Sequence, residues 1–309
     1  VADSVHTNED AVIEILRSMS ELMVYGDKHS EQFFEVFCEN NMLALLVQLV
    51  RSSFSARVKV QVIQTVSILV QNIRSEMTLY YLLSNNYVND LILTDFDFEA
   101  DELLAYYISF LKTLSMRLTN STLQFFFNEF APLSRRFPLY TAALRFVDHP
   151  EAMVRIAART LTLNVFRVED TPMRQYLTSG RQRNFFAFVA QYMVNQASML
   201  HQAADPESAA DMHRQSDELL AELQDMLYYL QDVAAIDYQP LRACVLWCLL
   251  RHLLLPGVVA PLLRARRRSS GAGAAARHAL VDDYAAHAAS PSSVVALERA
   301  VDGAAVVQR

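Results

Sequence analysis

The sequence predicts an all-α protein, an armadillo/HEAT-like helical solenoid. Of its 309 residues, 52% are hydrophobic and 20% are charged, which is enough apolar material for a sizeable core. Only six residues are glycine, too few for the turn that a β-sandwich or barrel needs about every 8–12 residues. Apolar side chains instead recur at i, i+3 and i+4 in one segment after another, which is the spacing of one helical face.

Capping residues and apolar periodicity divide the first part of the chain into seven predicted helices. They span residues 11–25, 30–50, 55–73, 75–84, 87–93, 97–118 and 120–129. Gly26 is expected to end the first helix, and the pair Asn40-Asn41 is expected to split the second. The third is apolar around most of its circumference, which is typical of a central, buried helix.

The second part of the chain continues in the same way. Its predicted helices span residues 139–147, 151–168, 171–180, 184–202, 207–235 and 238–255. The string Asp148-His149-Pro150-Glu151 is a typical helix start, with a polar cap followed by proline and an acid. After Arg264 the composition changes to Arg and then to Ala, Gly and Ser, which predicts a weakly ordered tail.

A faint internal echo supports the solenoid. The segments 58–69 (VKVQVIQTVSIL) and 154–163 (VRIAARTLTL) both open with a basic residue between two β-branched ones. Paired helices with an apolar inner member are typical of HEAT and armadillo repeats. Lys59 and Arg155 open these inner helices and are therefore candidates to line a partner-binding ridge; the alternative for both is structural packing.

Charge and motifs argue against several classes of function. The net charge of −7 disfavours nucleic acid as a partner. No glycine-rich phosphate loop, HExxH, GxSxG or CxxC motif is present in the sequence, so no catalytic site, cofactor or small-molecule substrate is predicted. Three cysteines cannot form a disulfide framework and favour a reducing compartment, hence the cytoplasm.

Two histidine-containing patterns each allow a chemical and a structural interpretation. Cys244, Cys248 and His252 share one helical stripe at i, i+4 and i+8, where a soft metal could bridge two of them. Their segment is apolar, however, and cysteine there also behaves as a small hydrophobe. His149 beside Asp148 is either an acid or base or a residue of the helix-capping loop.

The acidic residues Asp95, Asp97, Glu99, Asp101 and Glu102 partly resemble calcium-loop spacing. They lack the glycine and the terminal glutamate of an EF-hand. Opposition to the positive end of the helix dipole explains the same residues without a metal.

Membrane contact is expected to be peripheral. No uninterrupted apolar run approaches the roughly 20 residues that cross a bilayer; the segment 243–250 lies between Arg242 and Arg251. The cluster Arg264, Arg266, Arg267 and Arg268 is a candidate for contact with anionic lipid. The alternative is a solvated linker.

Five strings of the sequence are distinctive: 33–50 (FFEVFCENNMLALLVQLV), 58–92 (VKVQVIQTVSILVQNIRSEMTLYYLLSNNYVNDLI), 96–120 (FDFEADELLAYYISFLKTLSMRLTN), 125–129 (FFFNE) and 137–168 (FPLYTAALRFVDHPEAMVRIAARTLTLNVFRV). Together they resemble the FPL-domain family, named for a Phe-Pro-Leu motif. The resemblance is strong over residues 9–168 and looser to about 263. It divides the chain into an FPL helical-repeat domain (1–168), a helical region packed on it (169–263) and a tail (264–309).

The resemblance implies a cytoplasmic protein, peripheral on endosome, lysosome or Golgi membranes, that acts in vesicle traffic, autophagy and mitophagy. It implies protein partners, among them an E3 ubiquitin ligase, a small GTPase or endosomal trafficking factors. Phe137, Pro138, Leu139 and Tyr140 occupy the family motif and are candidates for a partner-binding surface. Because no RING pattern of cysteine and histidine is present, a RING-type ligase mechanism is not supported. A non-catalytic scaffold is predicted. The alternatives are a non-RING ubiquitin-ligase component, a small-GTPase activator or a structural subunit.

Overall fold

The computed structural model describes residues 2–30, 32–98, 101–132, 136–179, 184–203 and 211–263. Within these ranges the chain is helical and contains no strand, which confirms the all-α prediction. The helices are α1 (Ala2–His29), α2 (Gln32–Glu39), α3 (Met42–Arg51), α4 (Ala56–Asn72), α5 (Glu76–Ser84), α6 (Tyr87–Ile92), α7 (Asp101–Met116), α8 (Pro138–Leu144), α9 (Ala152–Arg167), α10 (Thr171–Thr178), α11 (Asn184–Ala203), α12 (Asp211–Ala235) and α13 (Gln239–Cys248). A 3-10 turn covers Leu123–Phe125, and a π-helix covers Leu249–Val259.

The chain forms two compact units, Val1–Leu249 and Leu250–Arg309. The first unit contains α1 to α13. The predicted region 1–168 and residues 169–249 of the predicted region 169–263 therefore belong to one unit, in which α9 and α12 are in contact. Of the second unit the structure describes residues 250–263. The predicted tail, 264–309, lies outside the described residues.

The helices of the first unit stack in sequence order in two rows. In one row α1 contacts α4, α4 contacts α7, α7 contacts α9, and α9 contacts α12. In the other row α2 contacts α3, α3 contacts α6, and α6 contacts α8. Contacts across the rows, such as α3 with α4 and α8 with α9, close the core between them. Stacking in which each helix touches its neighbours in turn is the arrangement of a helical solenoid.

Helix α4 is deeply buried, as its apolar circumference predicts. Val58, Val66 and Leu69 have no exposed surface. Its C-terminal carbonyls have no partner within the helix, and Arg117 supplies one: Nε donates to the Val70 carbonyl at 2.8 Å, and Nη2 donates to the Ile73 carbonyl. A buried helix end therefore has its polar groups satisfied by the neighbouring element.

Two predictions about where helices form have different outcomes. The break at Asn40-Asn41 is confirmed: Asn41 adopts a left-handed φ of 49° between α2 and α3, which asparagine tolerates. The predicted helix 120–129 is wrong, because only the short 3-10 turn forms there. Thr122 explains the difference: its hydroxyl donates to the Arg117 carbonyl at 2.7 Å and accepts from the Thr119 N–H at 2.8 Å. Such side-chain bonds to backbone compete with helix formation.

Gly26 does not end the first helix, since α1 continues to His29. The residue allows a close approach of α2 instead. A Cβ atom at position 26 would lie 2.5 Å from Cβ of Phe33 and 2.7 Å from its Cγ. A side chain at this point would push α1 and α2 apart.

We expect Gly26→Ala to lower the free energy of unfolding by about 1–2 kcal/mol, because overpacking outweighs the better helix propensity of alanine. Urea unfolding followed by circular dichroism measures it. Ser18→Ala, on the exposed side of the same helix, is the matched control and should change stability by less than about 0.5 kcal/mol. A Gly26→Ala protein as stable as the wild type would contradict the prediction.

One helix, Gln239–Leu263, is long and apolar enough to cross a membrane by length and composition. The sequence led us to expect no such segment, because Arg251 interrupts its apolar run. Its first half belongs to the protein core: Leu241, Val245 and Cys248 are at most 2% exposed, and α13 packs on α10, α11 and α12. The helices α2 and α3 meet the same criteria only as a pair bent by 51°.

Candidate protein-binding groove

An open groove of about 580 Å³ runs between α1 and α4. It combines cationic, amide and apolar side chains from the two helices. The lining residues are Arg17, Ser20, Glu21, Val24, Tyr25, Lys28 and His29 from α1, and Gln61, Gln64, Ile68 and Asn72 from α4. We call it the α1/α4 groove.

Local contacts hold the walls of the α1/α4 groove in place. Arg17 Nε donates to Oε1 of Gln61 at 3.2 Å, which joins the two helices across the groove. The ring of Tyr25 stacks on that of His29 with centroids 4.1 Å apart. Tyr25 remains 55% exposed and Ile68 36% exposed, so an aromatic and an aliphatic side chain face water at the same site.

This set of side chains suits an extended segment of another protein. Tyr25 and Ile68 offer apolar contact area, and exposed aromatic residues are frequent energetic anchors of interfaces. Gln64 and Asn72 carry amides, which can both donate to and accept from a peptide backbone. Lys28 can pair with a carboxylate of a partner, whereas Arg17 already contacts Glu14 at 3.9 Å and Gln61 at 3.2 Å. The groove therefore has the chemistry of a protein-binding site.

The family motif lies in the core. Phe137, Leu139 and Tyr140 are fully buried, and Pro138 is buried at the start of α8. The Phe137 ring lies 5.6 Å from that of Phe127 and 5.9 Å from that of Tyr140. Burial raises the pKa of Tyr140 well above its ordinary value. In this structure the motif residues present no surface to a partner, and their burial supports the packing alternative.

Lys59 and Arg155 both lie near the start of their helices, α4 and α9. The guanidinium group of Arg155 is engaged in hydrogen bonds within the protein. Its Nη1 donates to the carbonyls of His149 at 2.8 Å and Pro150 at 2.7 Å. Its Nη2 donates to Glu222 at 2.8 Å. Arg155 thus closes the loop before α9 and binds α12. Lys59 is partly exposed.

A buried charge cluster joins α9 to α12. Glu222, 7% exposed, accepts from Arg155 on Oε2 at 2.8 Å and from Arg159, itself 5% exposed, on Oε1 at 2.7 Å. Tyr192 of α11 donates to the same carboxylate at 3.4 Å. Burial alone would raise the pKa of Glu222, but the hydrogen bonds and charges of the two arginines hold it below its ordinary value of 4.5. We call these three residues the Arg155–Arg159–Glu222 cluster.

Three of the metal and acid–base candidates from the sequence, Cys244, Cys248 and His149, lie in structural positions. Cys244 and Cys248 are buried in α13. No group of three or more His, Cys, Asp or Glu side chains that could hold a metal occurs within the described ranges. His149 Nδ1 accepts from the Glu151 N–H at 3.2 Å, as a capping-loop residue does. Glu99 lies outside the described residues.

The lipid-contact candidates Arg264, Arg266, Arg267 and Arg268 also lie outside the described residues.

The sequential stacking of helices defines the class of this protein as an all-α helical solenoid. A family model named FPL, described as an uncharacterised conserved protein, matches residues 16–166. The chain belongs to this family, which confirms the resemblance seen in the sequence.

Named relatives extend the similarity beyond the FPL region. The chain is 39% identical over 251 residues to mouse (Mus musculus) Protein CLEC16A, covering 81% of this chain and 24% of that protein. It is 38% identical over 256 residues to a Drosophila melanogaster CLEC16A homolog, covering 81% and 23%. Protein TRANSPARENT TESTA 9 of Arabidopsis thaliana is 38% identical over 256 residues, covering 81% and 30%. The chain therefore spans about a quarter of the length of these relatives.

Solved structures whose backbones align with this chain include designed armadillo repeat proteins. One, in complex with a peptide, aligns with a TM-score of 0.42 at 12% identity, over 76% of this chain and 91% of that one. Another aligns with a TM-score of 0.42 at 13% identity, over 77% and 91%.

The sequence did not reveal the α1/α4 groove or the Arg155–Arg159–Glu222 cluster. Tyr25 and Ile68 fit the apolar periodicity of their helices, which does not distinguish a core position from one at the edge of a face. Glu222 lies in a polar-rich stretch of α12 that reads as solvated. The one available signal was the basic pair Arg155 and Arg159 at i and i+4, on a helix otherwise expected to be apolar.

Proposed function

We propose that this chain is a non-catalytic helical scaffold that binds other proteins in endosomal-lysosomal membrane traffic and autophagy, including mitophagy. Membership of the FPL family and similarity to CLEC16A support the cellular setting: the cytoplasm, on endosome, lysosome or Golgi membranes. The observation that carries the proposal is the α1/α4 groove, whose exposed Tyr25 and Ile68 lie beside cations and amides. Its partners are an E3 ubiquitin ligase, a small GTPase or endosomal trafficking factors.

The groove predicts which side chains matter for partner binding. We expect Tyr25→Ala/Ile68→Ala to weaken capture of those partner classes at least about tenfold, since loss of an interface anchor costs about 2 kcal/mol or more. The measurement is a quantitative pull-down from cells that express the full chain. The matched control is Tyr228→Ala/Ile156→Ala, because Tyr228 and Ile156 are 57% and 40% exposed on α12 and α9.

Thermal melting of both double variants should match the wild type within a few degrees, so that a loss of capture reports on the surface. Equal loss in the two variants would remove the groove from the proposal. The non-catalytic part is tested separately. Transfer of ubiquitin by the purified chain with only E1 and E2 present, abolished by a point substitution in the chain, would refute a pure scaffold.

A further inference from the structure

We propose that residues 250–263 form a site that inserts into the surface of an anionic phospholipid bilayer. We call residues 250–263 the insertion segment. The inference rests on the proposed function for its cellular setting, and it deepens that function by assigning membrane contact to this chain itself. Three observations support it: the exposure of the segment's apolar side chains, the length of its apolar stretch and the charge of the residues around it.

The insertion segment exposes apolar side chains around its whole circumference. From Leu253 to Leu263 eleven successive residues carry no polar side chain. Six of its large apolar side chains are between 39% and 65% exposed: Leu254, Leu255, Val258, Val259, Leu262 and Leu263. A helix in water keeps a polar face, whereas one that is apolar all round is surrounded by apolar material. A protein groove covers one face of a helix, but lipid acyl chains cover every face.

The length of the segment favours partial insertion over a complete crossing. Even at the rise of an α-helix, eleven residues extend at most about 16 Å, no more than roughly half of the 30 Å hydrocarbon core. The preceding helical turns cannot supply the rest, since Cys244, Val245 and Cys248 are buried in the first unit. Pro256, Gly257 and Pro261 lie within this helical segment, and helices in lipid contain these residues more often than helices in water do.

The charge around the segment selects an anionic surface. Although the whole chain carries −7, no acidic residue occurs between Asp237 and Asp282. Arg251 lies near the start of the segment, and Arg264, Arg266, Arg267 and Arg268 follow its end. In the sequence, arginines therefore flank the apolar stretch on both sides, and basic residues beside an apolar segment favour an anionic lipid surface.

The test is vesicle flotation with the purified full chain. We expect binding to vesicles of phosphatidylcholine with phosphatidylserine and much weaker binding to phosphatidylcholine alone. Substituting all four of Arg264, Arg266, Arg267 and Arg268 with Gln should lower binding to the anionic vesicles by about 100-fold or more, at about fivefold per basic residue. Added salt should act in the same direction.

Insertion itself is tested by Val258→Asp/Leu262→Asp, which we expect to lower vesicle binding by about 100-fold. The matched control is Leu220→Asp/Leu227→Asp, because these leucines are 56% and 55% exposed on α12; it should float like the wild type. A tryptophan introduced as Leu254→Trp, in a Trp247→Phe background, should shift its emission to the blue on binding and be quenched by spin-labelled lipid.

Absence of vesicle binding by the wild type, or unchanged binding by Val258→Asp/Leu262→Asp, would overturn the inference. So would self-association of the wild type, abolished by the same variant, without any binding to lipid. The groove variant Tyr25→Ala/Ile68→Ala should bind vesicles normally. If the wild type does not bind vesicles, the scaffold proposal still stands. If the groove variant captures partners normally in the pull-down, the membrane-insertion proposal still stands.

Discussion

Replacing Glu222 with alanine is expected to lower the free energy of unfolding by about 3–5 kcal/mol, because it leaves two buried guanidinium groups without a counter-charge. Arg155 and Arg159 donate to the two oxygens of this carboxylate at 2.8 and 2.7 Å. The side chains of the three residues are 6–12% exposed, so water cannot replace the lost partner. Denaturant unfolding, extrapolated to water, measures the effect.

Asp225→Ala is the matched control, since it removes an exposed carboxylate from the same helix and should change stability by less than about 0.5 kcal/mol. The Arg155–Arg159–Glu222 cluster also predicts strong coupling. Arg159→Met should cost clearly less in the Glu222→Ala background than in the wild type, because it then removes an unpaired charge. Additive effects, or a cost of Glu222→Ala below about 1 kcal/mol, would contradict the account.

The same cluster should make the protein sensitive to acid. Because the pKa of Glu222 is lowered in the folded state, its ion pairs stabilise the fold fully above the ordinary value of 4.5. That stabilisation is lost as the pH falls through the lowered pKa and the carboxylate becomes protonated. Glu222→Gln should remove this contribution, so its stability should change less than that of the wild type as the pH falls below 4.5.

Local signals were sufficient to predict much of the fold. The burial of α4 follows from apolar residues around its whole circumference, and the break between α2 and α3 follows from Asn40-Asn41, which disfavours a continuous helix. The segment 120–129 was predicted incorrectly, although its apolar residues are spaced as in a helix. The residues Thr119 and Thr122 form side-chain hydrogen bonds with backbone groups there. Such bonds depend on the local backbone conformation, which the apolar spacing does not specify.

The groupings of the site residues could not be predicted from local patterns, because they depend on contacts between residues that are distant in the sequence. Glu222 is separated from Arg155 by 67 residues and from Arg159 by 63, so its pairing exists only once α9 and α12 pack together. The α1/α4 groove likewise forms between two helices whose periodicity gives no information about their spacing. The FPL motif is a short string of apolar residues, and such residues serve packing as well as binding.

Phe137 distinguishes these two explanations of the motif. We expect Phe137→Ala to lower the free energy of unfolding by about 3–5 kcal/mol, because it removes a fully buried ring and leaves a cavity. Phe137→Leu should cost much less, about 1–2 kcal/mol, since it keeps most of the apolar volume. Phe130→Ala is the surface control: Phe130 is 93% exposed and should contribute almost nothing to stability.

Partner capture should then follow the folded fraction of each Phe137 variant. Phe137→Leu, which remains folded at the temperature of the assay, should capture partners like the wild type. Phe137→Ala should lose capture in proportion to its unfolding, because the Phe137 ring contacts Phe127 and Tyr140 rather than solvent. A Phe137→Leu protein with wild-type stability but no partner capture would show that the motif binds partners directly. The motif would then have to leave the core to bind, and the α1/α4 groove alone would not account for recognition.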